Sequence, residues 1–357
     1  MVNSILAPSF LPDTVVLEIT SKCNHSCLFC SCPWYSKDAI IEHDLTTDEW
    51  KEIIYEFSQQ GVFRFSFSGG ECTLRDDIYE LLDFTSKLSI KKVCSKDNDL
   101  FLGNTNPDIV VLSNGNNCSK SFLSFLKRIN AHLSVSLPGL STFPKLTGIG
   151  DSPETVLEVF ENAAKIGLQT TAAITVTKIN YFELYETIAA ALAAGAGTIL
   201  LNRYLPGGRG LLHPELDLSF EQVKTIPIIA EDVLRKANRY GHVGTEYPRC
   251  IANPDSFKNL RVGTRCAAAT GFFVIGPDGF IRVCNYSPKR LCNWRNWKSL
   301  IDNEYWRGYV FRHNRPIECK GCSQYSLCDG GCRECAYVFS DNLCGRDPVF
   351  KTKPIFV

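Results

Sequence analysis

The stretch VVLEITSKCNHSCLFC, residues 15–30, is a short apolar, β-branched run that leads straight into Cys23, Cys27 and Cys30 at the spacing CX3CX2C. Such a run predicts a buried strand, and a loop at the C-terminal end of a strand is where α/β folds place their chemistry. Working outward, five more runs of the same kind follow: VFRFSFS (62–68), DIVVLS (108–113), HLSVSL (132–137), TTAAITV (170–176) and TILLNRY (198–204). Between them, TTDEWKEIIYEFSQQ (46–60) and RDDIYELLDFTSKL (75–88) carry apolar residues at helical intervals, and SPETVLEVFENAAKIG (152–167) opens on Ser-Pro and closes at Gly. Six strands alternating with helices predict an α/β unit, a partial (β/α)6 barrel that is a half-open relative of the eight-stranded form.

The turn cluster LPGGRG (205–210) closes this unit, so residues 1–210 are expected to form the barrel and 211–249 a helical bridge around 219–240. From Cys250 to the end, residues 250–357, the composition shifts to Cys, Gly, Pro, Asn and aromatics. One hairpin is expected there, GFFVIGPDGFIRVC (271–284), turning at Pro277-Asp278-Gly279. That region reads as stapled by metal rather than by a large core.

The chain has 357 residues, which favours two domains with a core that needs no disulfides. Lys plus Arg and Asp plus Glu are both 38, and no long basic tract offers a footprint for nucleic acid or an anionic membrane. The start lacks a signal-peptide pattern, and the longest apolar stretch, 188–201, is short and rich in Ala and Gly, so a cytoplasmic protein is expected. Seventeen cysteines are anomalous there, because reducing compartments disfavour disulfides. They cluster, with three in residues 23–30 and six in residues 319–344, as metal sites predict.

Three thiolates can hold three irons of a 4Fe-4S cube and leave the fourth open to a reacting ligand. A CX3CX2C loop after the first strand, followed by Ser68-Gly69-Gly70-Glu71 at the end of the second, resembles the radical S-adenosylmethionine (SAM) enzymes. The resemblance implies that Cys23, Cys27 and Cys30 hold the cluster and that SAM chelates its open iron. One-electron reduction, from an external donor, then yields a 5'-deoxyadenosyl radical that takes hydrogen from substrate. It also implies cofactor contacts at Gly69, Gly70 and Glu71, where missing side chains allow close approach, and a ribose contact at Ser136. The alternatives read from the residues alone are a zinc knuckle completed by His25 or Cys32, and a plain strand-to-helix turn at the Gly-Gly-Glu. Cys32, Cys72, Cys94 and Cys118 fit no pattern and read as small hydrophobes.

In the second half Cys266, Gly279 and Cys284 give CX12GX4C; then Cys319, Cys322, Cys328 and Cys332 give CX2CX5CX3C, and Cys344 follows. This order is similar to the SPASM extension of radical SAM enzymes, CX9-15GX4C, a gap, CX2CX5CX3C, a gap and a last Cys. The resemblance implies two auxiliary iron-sulfur clusters, one on Cys319, Cys322, Cys328 and Cys344 and the other on Cys266, Cys284 and Cys332. The latter's fourth ligand is Cys250, Cys292, Cys335 or none, with an iron open to substrate. A zinc ribbon accounts for CX2C but not for the continuation.

SPASM relatives commonly modify ribosomally made peptides or proteins by crosslinking, epimerisation, oxidation or excision. Residues 71–75, Glu-Cys-Thr-Leu-Arg, and 202–210, Asn-Arg-Tyr-Leu-Pro-Gly-Gly-Arg-Gly, resemble the peptide-maturing members. Family members often carry an N-terminal leader-binding domain; with 14 residues before the first strand, a separate leader-binding protein is expected. The competing readings are a sulfatase-maturing enzyme, a small-molecule dehydrogenase or haem-precursor decarboxylase using Arg203 or Arg209, and a zinc-stabilised binding module. No general base or radical quencher is singled out among Tyr35, Tyr204 and Cys118.

Overall fold

The computed structural model describes residues 10–35, 44–96, 99–150 and 152–350, so the outermost parts of the expected domain spans lie outside the described residues. The strands are β1 (Thr14–Glu18), β2 (Arg64–Ser68), β3 (Ile90–Lys96), β4 (Asp99–Thr105), β5 (Asp108–Ser113), β6 (His132–Ser136), β7 (Thr170–Val176), β8 (Thr198–Arg203), β9 (Gly241–Val243), β10 (Leu260–Arg261), β11 (Phe273–Ile275), β12 (Phe280–Arg282) and β13 (Cys292–Asn293). The helices are α1 (Thr47–Gln59), α2 (Ile78–Ser86), α3 (Lys120–Arg128), α4 (Phe143–Thr147), α5 (Pro153–Lys165), α6 (Leu184–Ala193), α7 (Phe220–Lys236), α8 (Glu304–Val310) and α9 (Arg333–Ser340).

All six expected strands are present, side by side in the order β1-β2-β5-β6-β7-β8 and parallel throughout. Helices cross between most of them, which brings every strand's C-terminal end to one rim. The helix boundaries follow local chemistry. Thr46 and Glu49 form a reciprocal capping box on α1, Ser219 and Gln222 do the same on α7, and Pro153 stands in the first turn of α5. α1 then turns Trp50, Ile53, Ile54 and Phe57 onto the sheet.

Two features depart from the reading of the sequence. β3 and β4 form a separate antiparallel hairpin, which interrupted alternation in IKKVCSK and DLFLGNT does not announce. The main sheet also runs past the boundaries expected near 210 and 250. β9 pairs with β8 and β10 with β9, while β11 lies parallel to β1, with β12 and β13 antiparallel beyond it. The hairpin turning at residues 277–279 therefore supplies a buried strand to the barrel's open edge, where Phe273, Val274 and Ile275 are fully buried. The two halves share one core, in which the Phe273 ring lies 5.3 Å from Phe57 of α1 and 6.2 Å from Trp306 of α8. No described helix is long and apolar enough to cross a membrane.

Candidate metal and cofactor centre

The cysteine loop leaves β1 at the rim formed by the strands' C-terminal ends. Its backbone is pinned from two sides. The Ser26 and Leu28 amides donate to Thr147 and Leu146 of α4, both at 2.9 Å, and the Cys30 amide closes a turn onto the Cys27 carbonyl at 3.2 Å. From the other side the 205–210 turn, expected as a closing linker, packs on the loop itself. The Gly210 amide donates to the Cys30 carbonyl and the Arg209 guanidinium to the Cys27 carbonyl, each at 3.2 Å. Gly208, at φ 50°, approaches so closely that a Cβ there would lie 2.4 Å from the Cys32 carbonyl.

The three thiols stand in one electrostatic environment. Burial pushes the Cys23 and Cys27 thiols up; the Glu71 and Cys30 charges add to this at Cys23, and the Cys30 and Cys23 charges at Cys27. Cys30 is instead drawn down to about 7, first by its hydrogen bond with the Cys32 thiol and further by the Arg209 charge. The His25 amide lies 3.4 Å from the Cys23 sulfur, a donor of the kind that tunes metal-bound thiolates. Among the described residues no group of three or more His, Cys, Asp or Glu side chains already stands in position to hold a single metal ion.

Gly69, at φ 141°, and Gly70 pack first against the chain itself. A Cβ on Gly69 would lie 2.5 Å from the Thr20 carbonyl oxygen, and one on Gly70 2.2 Å from that of Lys22. The Gly70 and Glu71 amides donate to the same two carbonyls, at 2.7 and 2.8 Å. The glycines thus hold the second strand's loop against the segment leading into Cys23. The Glu71 carboxylate is buried and accepts from the Asn114 amide (2.7 Å), the Thr73 hydroxyl (2.7 Å) and amide (3.2 Å), and the Ser113 hydroxyl (2.9 Å). Its side chain braces the rim, leaving the backbone of 69–71 as the surface a cofactor could meet. Ser136 ends β6 exposed at the rim, where a ribose could reach it.

The second-half cysteines separate into two cavities. One, of about 340 Å³, joins Cys30 and Cys32 of the first loop to Cys266, Cys284 and Cys332, with Glu246 and Glu334 on its wall. Burial pushes the thiols of Cys266, Cys284 and Cys332 up, a cost that a bound metal's charge offsets. The other, of about 590 Å³, is lined by Cys250, Cys319, Cys322 and Cys328. Backbone amides lie at the sulfurs of Cys322 (Gln324, 3.4 Å), Cys328 (Gly330, 3.3 Å) and Cys332 (Cys335, 3.4 Å), as they do at Cys23. The donor set fits iron-sulfur clusters.

The remaining cysteines lie elsewhere. Cys292, on β13, lies beside Trp294 and Trp297, while Cys335 shares a small cavity with Leu205 and Pro206 and stays next to Cys332, its amide 3.4 Å from that sulfur. The Cys344 thiol points at the His313 carbonyl, 3.7 Å away. Cys72 and Cys118 are buried, with Cys118 3.6 Å from the Ser113 hydroxyl; the side chains of Cys94 and Tyr35 lie outside the described residues. Tyr204 lines the first cavity while its hydroxyl donates to Gly210.

Sequence reasoning passed over the charged residues that hold these loops. Asp329 accepts the Cys266 amide at 2.8 Å and pairs with Arg312 and Arg315; Asp347 accepts the Cys332 amide at 2.8 Å and pairs with buried Arg203. Arg333, fully buried, donates to the carbonyls of Gly330, Gly331, Leu343 and Gly345. Charges at 329 and 333, inside and beside the CX5CX3C run, were the available signal.

Compared with known families, residues 17–191 match the radical SAM superfamily. This half of the chain is a radical SAM domain. The family implies a 4Fe-4S cluster and SAM, and the loop just described has the thiols and the backbone surface for both. Over nearly its whole length the chain is similar to the mycofactocin maturase MftC of Mycolicibacterium smegmatis, 24% identical over 94% of this chain and 82% of the relative. It is likewise similar to the AdoMet-dependent heme synthase of Oleidesulfovibrio alaskensis, 22% identical over 95% and 87%. Its fold matches Streptococcus suis SuiB bound to precursor peptide SuiA, with a TM-score of 0.72 and 16% identity over 94% of this chain and 75% of that one.

Proposed function

We propose that the protein is a radical SAM peptide maturase that takes hydrogen from a residue of a ribosomally made peptide or protein, modifying it after translation. Cys23, Cys27 and Cys30 hold the SAM-binding cluster, the backbone of Gly69, Gly70 and Glu71 meets SAM together with Ser136, and two auxiliary clusters sit on the second-half thiols. The six barrel strands fall within 1–210, the helical bridge within 211–249 and the auxiliary-cluster cysteines within 250–357, with the sheet continued by β9–β13. An external donor supplies the electron, and the thiolate-bound iron suits the reducing cytoplasm. When bound, the cluster and SAM supply one-electron chemistry that ends in hydrogen abstraction from substrate carbon.

The observation that carries this reading is the single cavity running from Cys30 and Cys32 to Cys266, Cys284 and Cys332. A substrate residue there lies between the SAM loop and a second electron-accepting centre. The chain's own part is to aim that residue and exclude water. Arg209 holds the Cys27 carbonyl and adds positive charge beside the thiolates. The wall favours a peptide over a porphyrin tetracarboxylate. Among the described residues lining the cavity the only cation is Arg203, already buried against Asp347, whereas Glu246 and Glu334 present carboxyls.

The test is anaerobic reconstitution with iron and sulfide, then dithionite and SAM with and without the precursor peptides encoded beside the gene. Formation of 5'-deoxyadenosine with a mass change confined to one peptide is the expected result. Deoxyadenosine with no change in any peptide, but turnover of a haem precursor, would replace this reading with the small-molecule one.

A further inference from the structure

The SPASM resemblance gives the second auxiliary site to Cys319, Cys322, Cys328 and Cys344, yet the four thiols that share its cavity are a different set. Cys250, Cys319, Cys322 and Cys328 line it together, and Cys344 is not among its lining residues. Cys344 turns its sulfur to the His313 carbonyl.

Cys250 is held there by backbone. It sits in a turn in which the Ile251 and Ala252 amides donate to the Pro248 carbonyl, at 2.8 and 3.2 Å. The amide of the preceding residue, Arg249, points at the Cys328 sulfur, 3.5 Å away. Further along, the Thr264 hydroxyl donates to the Leu327 carbonyl at 2.8 Å, and the Asp329 amide donates back to the Thr264 carbonyl at 3.0 Å. The Tyr247 amide bonds the Gly263 carbonyl at 2.9 Å, so residues 247–264 form one closed loop clamped to 326–329. That loop carries Cys250 into the cavity that Cys328 lines.

We propose that Cys250 is the fourth thiolate ligand of the second auxiliary cluster, in place of Cys344. This rests on the auxiliary-cluster part of the function proposed above and is independent of the substrate. It removes Cys250 from the candidates for the first auxiliary cluster. Cys292 lies beside Trp294 and Trp297, whereas Cys335, whose amide is 3.4 Å from the Cys332 sulfur, stays beside the first auxiliary cluster.

Two measurements test it. In the first, anaerobic holoprotein is alkylated with iodoacetamide, and the labelled cysteines are mapped by mass spectrometry before and after iron removal. Protection of Cys250 together with Cys319, Cys322 and Cys328 until the iron is stripped, with Cys344 labelled from the start, is expected. Cys250 labelling equally fast with and without iron would overturn the assignment, and this arm needs no variant to fold. In the second, Cys250→Ser and Cys344→Ser are reconstituted side by side. Loss of about four of roughly twelve irons, or an altered auxiliary signal in electron paramagnetic resonance, is expected in Cys250→Ser alone. Full iron and an unchanged spectrum in Cys250→Ser, with the loss in Cys344→Ser, would restore the family pattern. About four irons in the unaltered protein would instead sink the auxiliary clusters themselves, a failure distinct from a wrong ligand.

Discussion

The two cysteine regions are built by different physics. Residues 23–30 hang from a parallel sheet whose strands are paired along their length, and glycine-backed amides pin the loop to its neighbours. Residues 250–347 contain short strands and short helices, and their loops are tied by buried charges such as Asp329, Asp347 and Arg333. A loop on a sheet has its geometry before any metal arrives. A loop tied by charge and thiolate acquires part of its folding energy from the metal.

The sharpest way to break this comparison is to replace Cys23, Cys27 and Cys30 together by Ala. Formation of 5'-deoxyadenosine should vanish while the auxiliary absorbance stays, and persistent cleavage of SAM would refute the loop's assignment. Iron removal should act in reverse. Amide hydrogen exchange is expected to stay slow across β1, β2, β5–β8 and β11 and to quicken across the loops 247–264 and 312–347; equal protection in both would erase the distinction.

Side-chain ties give smaller effects. Asp347→Ala leaves Arg203 buried without its carboxylate and frees the Cys332 amide, so a loss of about 3–5 kcal/mol is expected in denaturant unfolding of the holoprotein. In the barrel, Glu71→Gln keeps the shape but turns an amide donor either toward the donors at Thr73 and Ser113 or toward the Asn114 amide. A loss of about 1–3 kcal/mol in the same assay is expected. An Asp347 effect no larger than that of Glu71 would place the two regions on the same footing.

The smallest effect is a pH dependence inside the barrel. Burial on β6 lowers the His132 pKa below its ordinary value, and its Nε2 sits 2.7 Å from the Thr171 hydroxyl. The neutral ring is therefore favoured in the folded state. Its contribution is complete above the free imidazole value of about 6.5 and is lost as pH falls through the lower folded value. Urea midpoints of the wild type and His132→Gln should converge on acidification; a constant gap would remove His132 from that account.

Much of this was legible in the chain. The apolar runs at 15–19 and 62–68 contain their own strand signal, the helical spacing of apolar residues in 46–60 announces α1, and the Pro-Asp-Gly turn announces the hairpin at 271–284. Cysteine spacing singled out the metal ligands' residue types because a cluster needs thiolates at short fixed intervals. The β3–β4 hairpin was hidden because its strands alternate poorly. The part played by LPGGRG was hidden because a turn's composition does not say what the turn touches.

What the sequence alone determined is whatever depends on neighbours a few residues apart: strand and helix placement, the CX3CX2C loop on a strand end, and two groups of closely spaced thiols. Only the tertiary structure decided that β11 completes the sheet beside β1, that residues 205–210 clamp the cysteine loop, and that Cys250 shares a cavity with Cys319, Cys322 and Cys328. Those contacts join residues dozens to hundreds of positions apart. They are set by which sheet edge is open and which backbones can close-pack, and no local spacing records that.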